Sequence, residues 1–298
     1  MALSRAQAFV TKWWLALRHN LPFAWVYGVN VIWWLTLDRR PFEDPAEFAG
    51  VAELEEAWPE IREEFDRLRA ATHTPMFGAI DPGQARLATD RWRAVLLWFW
   101  GQPSRTNLAE CPRTAEVLSH IDGLQTALHS SLAPKASLPW HMGPYAGVLR
   151  VHLGIDVPPG GQCGIQVGRQ RRYWRNGGLL VFDDTYPHTA WNHSDEERVV
   201  LFIDIVRPMP HRWQRRLNAA VLKHLSRTER IRGAAQRGRQ RDPQRRGAPD
   251  QAAHGVGDRQ IARDGRHQRR QQGPAQAAAD GLHGCAHRGG GAGPGRGG

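Results

Sequence analysis

The sequence predicts a mainly β fold, an antiparallel sandwich or jelly roll with flanking helices, on three observations. Residues 147–155 alternate strictly, with Leu149, Val151, Leu153 and Ile155 on one face and Arg150 and His152 on the other. The same period recurs at 179–182 and 199–205, and on the last of these strands Arg198, Val200, Phe202 and Asp204 share a face. Between them lie turn-rich stretches, Pro158 to Gly161 and Asn176 to Gly178, with no helical pattern intervening.

Taken in order, residues 1–45 form an apolar N-terminal segment. A basic, aromatic start (Lys12, Trp13, Trp14, Arg18) leads into the uncharged run 21–37, closed by Asp38, Arg39 and Arg40. The run is at the short end of what crosses a bilayer, about 17 residues, and Pro22, Gly28 and Asn30 weaken a span. Two readings stand: an interfacial or short anchoring helix with Trp33 and Trp34 in the headgroup zone, or an amphipathic helix packed on the domain. No secretory signal is expected, because the run lies too far in and lacks a small-residue cleavage site.

Residues 46–225 read as the main domain. Leu54, Trp58, Ile61, Phe65 and Leu68 recur at spacings of three and four with charges between them, an amphipathic helix that Pro59 enters early. The run 92–101 is a short apolar strand or helix, and CPRTAEVLSHI reads as a helix with Pro112 near its start. The jelly-roll core is expected from about residue 128.

The charge is concentrated at the other end. The chain carries 40 Lys and Arg against 29 Asp and Glu, but residues 231–298 hold 13 Arg, no Lys and 5 Asp, leaving residues 1–230 with 27 basic and 24 acidic side chains. The tail, 226–298, also has no Phe, Trp or Tyr beyond residue 230 and 16 of the 31 Gly. Such a composition buries too little apolar surface to offset backbone ordering, so a disordered basic arm is expected. A nearly neutral domain and a tail without stacking rings argue against a nucleic-acid partner. Three cysteines, Cys111, Cys163 and Cys285, form no CxxC and no even framework, which excludes a zinc knuckle and a disulfide scaffold and favours a reducing compartment.

Chemistry gathers between residues 141 and 198. His141 and His188 sit at the mouths of period-2 segments, and Arg198 lies on a third. Two imidazoles beside a buried cation suit a divalent iron and an anionic cosubstrate; iron(II) centres that activate O2 usually have two His and one carboxylate on one face and leave the other positions open. The residue two after His141 is Gly143, so an HxD carboxylate is missing; water held by Asp184 is one candidate for that position. On spacing alone the bland alternatives stay open: satisfied core histidines, and an Arg198 paired with Glu196 at the surface.

The blocks HMGPYAGVLRVHLGI, FDDTYPHTAWN and ERVVLFIDIVRPM, together with CPRTAEVL and SSLAPKASLPWH, resemble the aspartyl/asparaginyl beta-hydroxylase family over roughly residues 90–215. That family is a branch of the iron(II)/2-oxoglutarate dioxygenases with a double-stranded β-helix core, of the jelly-roll or cupin-like kind. The resemblance implies Fe(II) held by His141 and His188 alone, in keeping with Gly143. It implies 2-oxoglutarate anchored by Arg198, with help from His152, Arg150 and Ser130, and Asp184 orienting metal-bound water. Pro187, just before His188, departs from the family pattern. The activity implied is O2-dependent hydroxylation of an unactivated carbon coupled to oxidative decarboxylation of 2-oxoglutarate.

PYAG, RPMPHRW and AWPEIREEF resemble the branch that hydroxylates lipid A acyl chains, which implies an acyl-chain substrate, membrane association and a cytoplasmic location at the cytoplasmic face of the inner membrane. Asp or Asn in a peptide, or a small amino acid, is the alternative substrate. A noncatalytic jelly-roll binding protein, needing neither His, is the alternative of another class. The oligomeric state is not legible in the sequence.

Overall fold

A computed structural model describes residues 25–71, 76–77 and 91–228. The basic tail expected to be disordered lies outside the described residues from 229 on, as do residues 1–24, and its first residue, Ser226, ends a helix. In chain order the elements are α1 (helical at 25–36), β1 (Phe42–Glu43), a 3-10 turn (Pro45–Glu47), α2 (Glu53–Glu56), α3 (Trp58–Ala71), β2 (Trp92–Phe99) and β3 (Gln102–Pro103). They continue with α4 (Arg105–Ala109), α5 (Pro112–His120), β4 (Leu124–Leu132), β5 (Ala136–His141), β6 (Val148–Asp156), β7 (Cys163–Val167) and β8 (Gln170–Tyr173). Last come β9 (Leu179–Phe182), β10 (His188–Asn192), β11 (Arg198–Val206) and α6 (Arg212–Ser226).

The strands form a seven-stranded sheet in the order β1-β9-β6-β11-β4-β2-β3 and a four-stranded sheet in the order β5-β10-β7-β8. Every pairing between these strands is antiparallel. The jelly-roll expectation holds, with one correction. The core does not begin near residue 128, because β2 pairs with β4 along its length and puts Trp92, Ala94 and Leu96 in the layer between the sheets. The run at 92–99 is therefore a strand: at eight residues it can satisfy its backbone on β4 and β3, whereas a lone apolar helix of that length could not.

The period-2 pattern sorts the two faces as expected. Leu149, Val151, Leu153 and Ile155 of β6 join Val199, Leu201, Ile203 and Ile205 of β11 in a cluster closed by Leu54, Ile61, Phe65 and Leu68 of α2 and α3 and by Val117 and Leu118 of α5. The expected single helix is broken at Ala57, and Pro59 falls in the first turn of α3, where its missing N–H costs nothing. The buried carboxylate of Glu64 then caps α5, accepting from the backbone N–H of Arg113 and Thr114 (both 2.8 Å) and from the Thr114 hydroxyl (2.6 Å). The opposite face of the large sheet packs Leu128, Phe182, Val200 and Phe202 on Leu138, Ile165, Val167 and Ala190 of the small sheet. A third cluster joins Val26, Val29 and Trp33 of α1 to Tyr145, Val148, Val221, Leu222 and Leu225.

One buried group makes this fold acid-sensitive. His129 on β4 is 1% exposed, neither ring nitrogen has a partner, and it lies against Phe65 at 4.6 Å between ring centroids. Burial lowers its pKa from 6.5 to about 3. The unfolded chain therefore takes up a proton below pH 6.5 that the folded chain refuses, so stability falls as pH drops from 6.5 towards 3. Between pH 7.5 and pH 5 this group alone should remove about 2 kcal/mol. Replacing His129 with Leu should recover that amount at pH 5, measured by denaturant unfolding at both pH values; equal acid losses in the two proteins would contradict the assignment.

Candidate active site

The two-sheet layer opens into a pocket whose polar lining is Ser130, His141, Arg150, His152, His188 and Arg198, set among Trp92, Leu138, Ile165, Trp174, Phe182 and Phe202. His141 is the last residue of β5 and His188 the first of β10, and the pairing register places them directly opposite each other. Their ring centroids are 4.0 Å apart. Nδ1 of His141 lies 2.7 Å from the Pro139 carbonyl, and Nδ1 of His188 lies 2.9 Å from the Tyr186 carbonyl. A carbonyl only accepts, so both Nδ1 atoms donate, and Nε2 keeps its lone pair on each ring. Burial lowers both pKa values to about 4, His141 being held down further by the neighbouring His188. At neutral pH the pair is thus two uncharged, oriented imidazoles, the state in which histidine binds a divalent metal.

Across the pocket Arg198 is 2% exposed, and its Nε and Nη1 have no hydrogen-bond partner. Its guanidinium carbon lies 4.5 Å from the Trp174 ring centroid. Burial pulls its pKa down to about 10, which leaves it charged at neutral pH. The surface pairing with Glu196 does not occur. An unmatched buried guanidinium is costly unless an anion meets it, and its planar fork suits a carboxylate. His152 adds two unpartnered ring nitrogens, walled in by Trp174, Phe182 and Phe202 at 5.0 to 5.7 Å, and burial keeps it neutral. The Ser130 hydroxyl accepts from Trp92 Nε1 at 2.9 Å, so its own proton remains to donate.

Arg150 lines the same pocket but is already matched. Its Nη2 is 2.9 Å from Asp184 and its Nε 3.0 Å from Asp204, with Phe202 beneath the guanidinium at 4.0 Å. Asp204 lies opposite Arg150 on β11, so this pair was encoded in the strand register. Burial raises the pKa of both carboxylates, and Arg150 opposes the rise.

Asp184 sits in the turn before β10, and a Cβ on Gly143 would collide with its carboxylate. Glycine at 143 thus does more than forgo a carboxylate: it clears the space that the carboxylate of Asp184 fills from another loop. The Gly143 N–H donates to the Asp184 carbonyl at 2.7 Å, tying the two segments together. Asp183, fully buried, anchors the turn through Arg39 (2.8 Å), Arg207 (2.5 Å) and the Thr185 hydroxyl (2.5 Å).

The structure therefore brings together all seven residues named from the sequence. It separates their electrostatic roles, with Arg198 free for an anion and Arg150 engaged by two carboxylates. Trp92, Trp174 and Phe182 also shape the pocket and were not anticipated, since an aromatic residue looks the same in sequence whether it fills a core or walls a site. Among the described residues no group of three or more His, Cys, Asp or Glu is arranged to hold a metal. A metal here would rest on His141 and His188, with small molecules filling its other positions, and the free Nε2 atoms fit that use.

Residues 55–208 match the family described as aspartyl/asparaginyl beta-hydroxylase. An ornithine lipid ester-linked acyl 2-hydroxylase from Rhizobium tropici is 41% identical over 189 residues, covering 62% of this chain and 67% of that protein. Aspartyl/asparaginyl beta-hydroxylases from Mus musculus and Homo sapiens are 29% and 27% identical, covering 44% and 66% of this chain. This chain spans only 18% and 26% of those two relatives. Among solved structures, a cupin 2 barrel protein from Salinispora arenicola matches at 13% identity and a TM-score of 0.27, over 44% of this chain and 86% of that one.

Titrating the metal-free protein with Mn(II) or Co(II) in a calorimeter should show one site per chain. Changing His141 or His188 to Ala should weaken it about 100-fold or more, since even outer-shell changes at such sites cost 10–100-fold. Unaltered binding in both variants would remove the metal assignment.

Proposed function

Because this chain belongs to the aspartyl/asparaginyl beta-hydroxylase family, we propose that it is a hydroxylase using Fe(II), 2-oxoglutarate and O2 to oxidise an ester-linked acyl chain of a membrane lipid. The balance is R–H, O2 and 2-oxoglutarate giving R–OH, succinate and CO2. The observation that carries the reading is the buried, unmatched Arg198 facing the oriented His141 and His188 pair across one pocket. The acyl substrate is favoured by the 41% identity to the ornithine lipid hydroxylase, against 27–29% to the two aspartyl/asparaginyl enzymes. That similarity also moves the expected lipid away from lipid A.

Iron bound by the two imidazoles would supply the O2 chemistry. The protein's own contributions are orientation and exclusion of water. Arg198 would take the far carboxylate of 2-oxoglutarate in a two-pronged contact, and the Ser130 hydroxyl and His152 would donate to its oxygens. Trp174 behind the guanidinium and Phe182 and Phe202 around His152 keep these contacts dry, which strengthens them. Arg150, held by Asp204, keeps the carboxylate of Asp184 beside Gly143, where it would accept from a water close to the metal position. Leu138 and Ile165 give the pocket an apolar wall suited to methylene groups.

The purified protein supplied with Fe(II), 2-oxoglutarate and ornithine lipid should form succinate and a lipid heavier by one oxygen, read by mass spectrometry. Gain of oxygen by an Asp-containing peptide and not by the lipid would replace the substrate, and absence of succinate with every substrate would end the reading. Changing Arg198 to Lys keeps the charge but loses the fork. It should raise the KM for 2-oxoglutarate about tenfold and change the KM for lipid little; an unchanged 2-oxoglutarate requirement would refute the anchoring role.

A further inference from the structure

The described part of α1 contains no charged residue, and Asn30 and Trp33 turn their polar groups inward. Asn30 bonds the Pro144 carbonyl and the Ala146 N–H (2.8 and 2.9 Å), and Trp33 Nε1 donates to the Tyr145 hydroxyl at 3.1 Å. Its outer face is nevertheless apolar, with Trp25, Tyr27, Val31, Ile32, Trp34 and Leu35 all exposed, Leu35 to 81%. A helix apolar on all sides normally has a second apolar neighbour. The helix beside it supplies the charge. Trp25 meets His224 at 5.1 Å and Trp33 meets Trp213 at 6.0 Å, so α1 and α6 run antiparallel side by side. Along α6, Arg212, Arg215, Arg216 and Lys223 are exposed, no acidic residue occurs, and Trp213 is half exposed.

This surface continues to the pocket. The segment that α1 grips, 144–146, begins three residues after His141, and the residues flanking His141, Trp140 and Met142, are 56% and 48% exposed. Among the described residues no helix is long and apolar enough to cross a membrane.

We propose that α1, α6 and the Trp140–Met142 rim form an interfacial platform that seats the protein in the plane of an anionic phospholipid monolayer, with the α1 side chains among the acyl chains and the α6 cations on the headgroups. Apolar insertion next to basic residues is the chemistry by which helices bind anionic bilayers from one side. The proposal builds on the acyl-chain reading by naming where the substrate comes from: the leaflet itself, entering beside His141.

The test is sedimentation of the full chain with vesicles of phosphatidylethanolamine containing one quarter phosphatidylglycerol, and with phosphatidylcholine vesicles as the uncharged arm. The protein should bind the anionic vesicles more tightly and be released by carbonate. Val31→Glu with Leu35→Glu, both on the exposed face, should cut binding about tenfold or more, and Arg212→Glu with Arg216→Glu should remove the preference for anionic lipid. Both pairs should leave thermal unfolding and lipid-free succinate formation unchanged. Vesicle binding equal in the Glu variants and the parent would overturn the proposal. So would carbonate-resistant retention, which would mean a span, or conversion of a dimer to a monomer by the Glu variants, which would make the face a subunit contact. Binding is read without turnover, so a protein that docks but does not hydroxylate lipid supports the platform while counting against the acyl substrate.

Discussion

Strand β11 is paired along both edges, to β4 from Arg198 to Ile205 and to β6 from Val199 to Val206, and the rest of the molecule is hung on that register. It sets Val199, Leu201, Ile203 and Ile205 under the helices and Arg198, Phe202 and Asp204 in the layer between the sheets. Phe202 then falls opposite His152, and Asp204 opposite Arg150. A slip of one residue would exchange the two sets, burying cations among leucines and turning the aliphatic row into the pocket. The same residues thus enforce the fold and build the site, which is why the site cannot be assembled in a misregistered sheet.

The charges in this layer are matched unevenly. Arg150 satisfies Asp184 and Asp204, and Asp183 gathers Arg39 and Arg207 at a turn that also presents Asp184 to Gly143. Among these buried cations Arg198 is the one not ion-paired to a carboxylate, and its Nε and Nη1 have no hydrogen-bond partner. Desolvating a cation without a counterion opposes folding, so the position is sustained by the packing around it: Trp174 across its face and the dense β-strand ladder beneath. An anionic cosubstrate would relieve that cost, so the stability of this layer and the occupancy of the pocket are linked.

The loop between β5 and β6 connects the pocket to the helices at the edge of the domain. Tyr145 is buried and its hydroxyl donates to Asn218 of α6 at 2.6 Å while accepting from Trp33 of α1. Asn218 in turn donates to the Gly147 carbonyl at 2.9 Å, and Arg207 donates to the Ala146 carbonyl at 2.7 Å. With Pro144, Tyr145, Ala146 and Gly147 tied to α1, to α6 or to Arg207, the backbone that follows His141 is held from outside the sheets. Helix α1 is therefore part of the support of this loop, whatever its outer face contacts.

What the sequence determined alone is what is local. The faces of β6 and β11 followed from a period of two, the start of α5 from Pro112, and the face of α3 from its three-and-four spacing, because each depends only on how successive side chains project from the backbone. His141, His188 and Arg198 were singled out through blocks that resemble a known family, and the three line one pocket. The tertiary structure decided what depends on distant partners. Residues 92–99 are a strand because β4 lies beside them. Arg150 is held by Asp184 and Asp204 while Arg198 is left free, a distinction that two similar arginines on neighbouring strands cannot show in sequence. Gly143 proved to be the space that Asp184 occupies, a contact between residues 41 apart in the chain that only folding brings together.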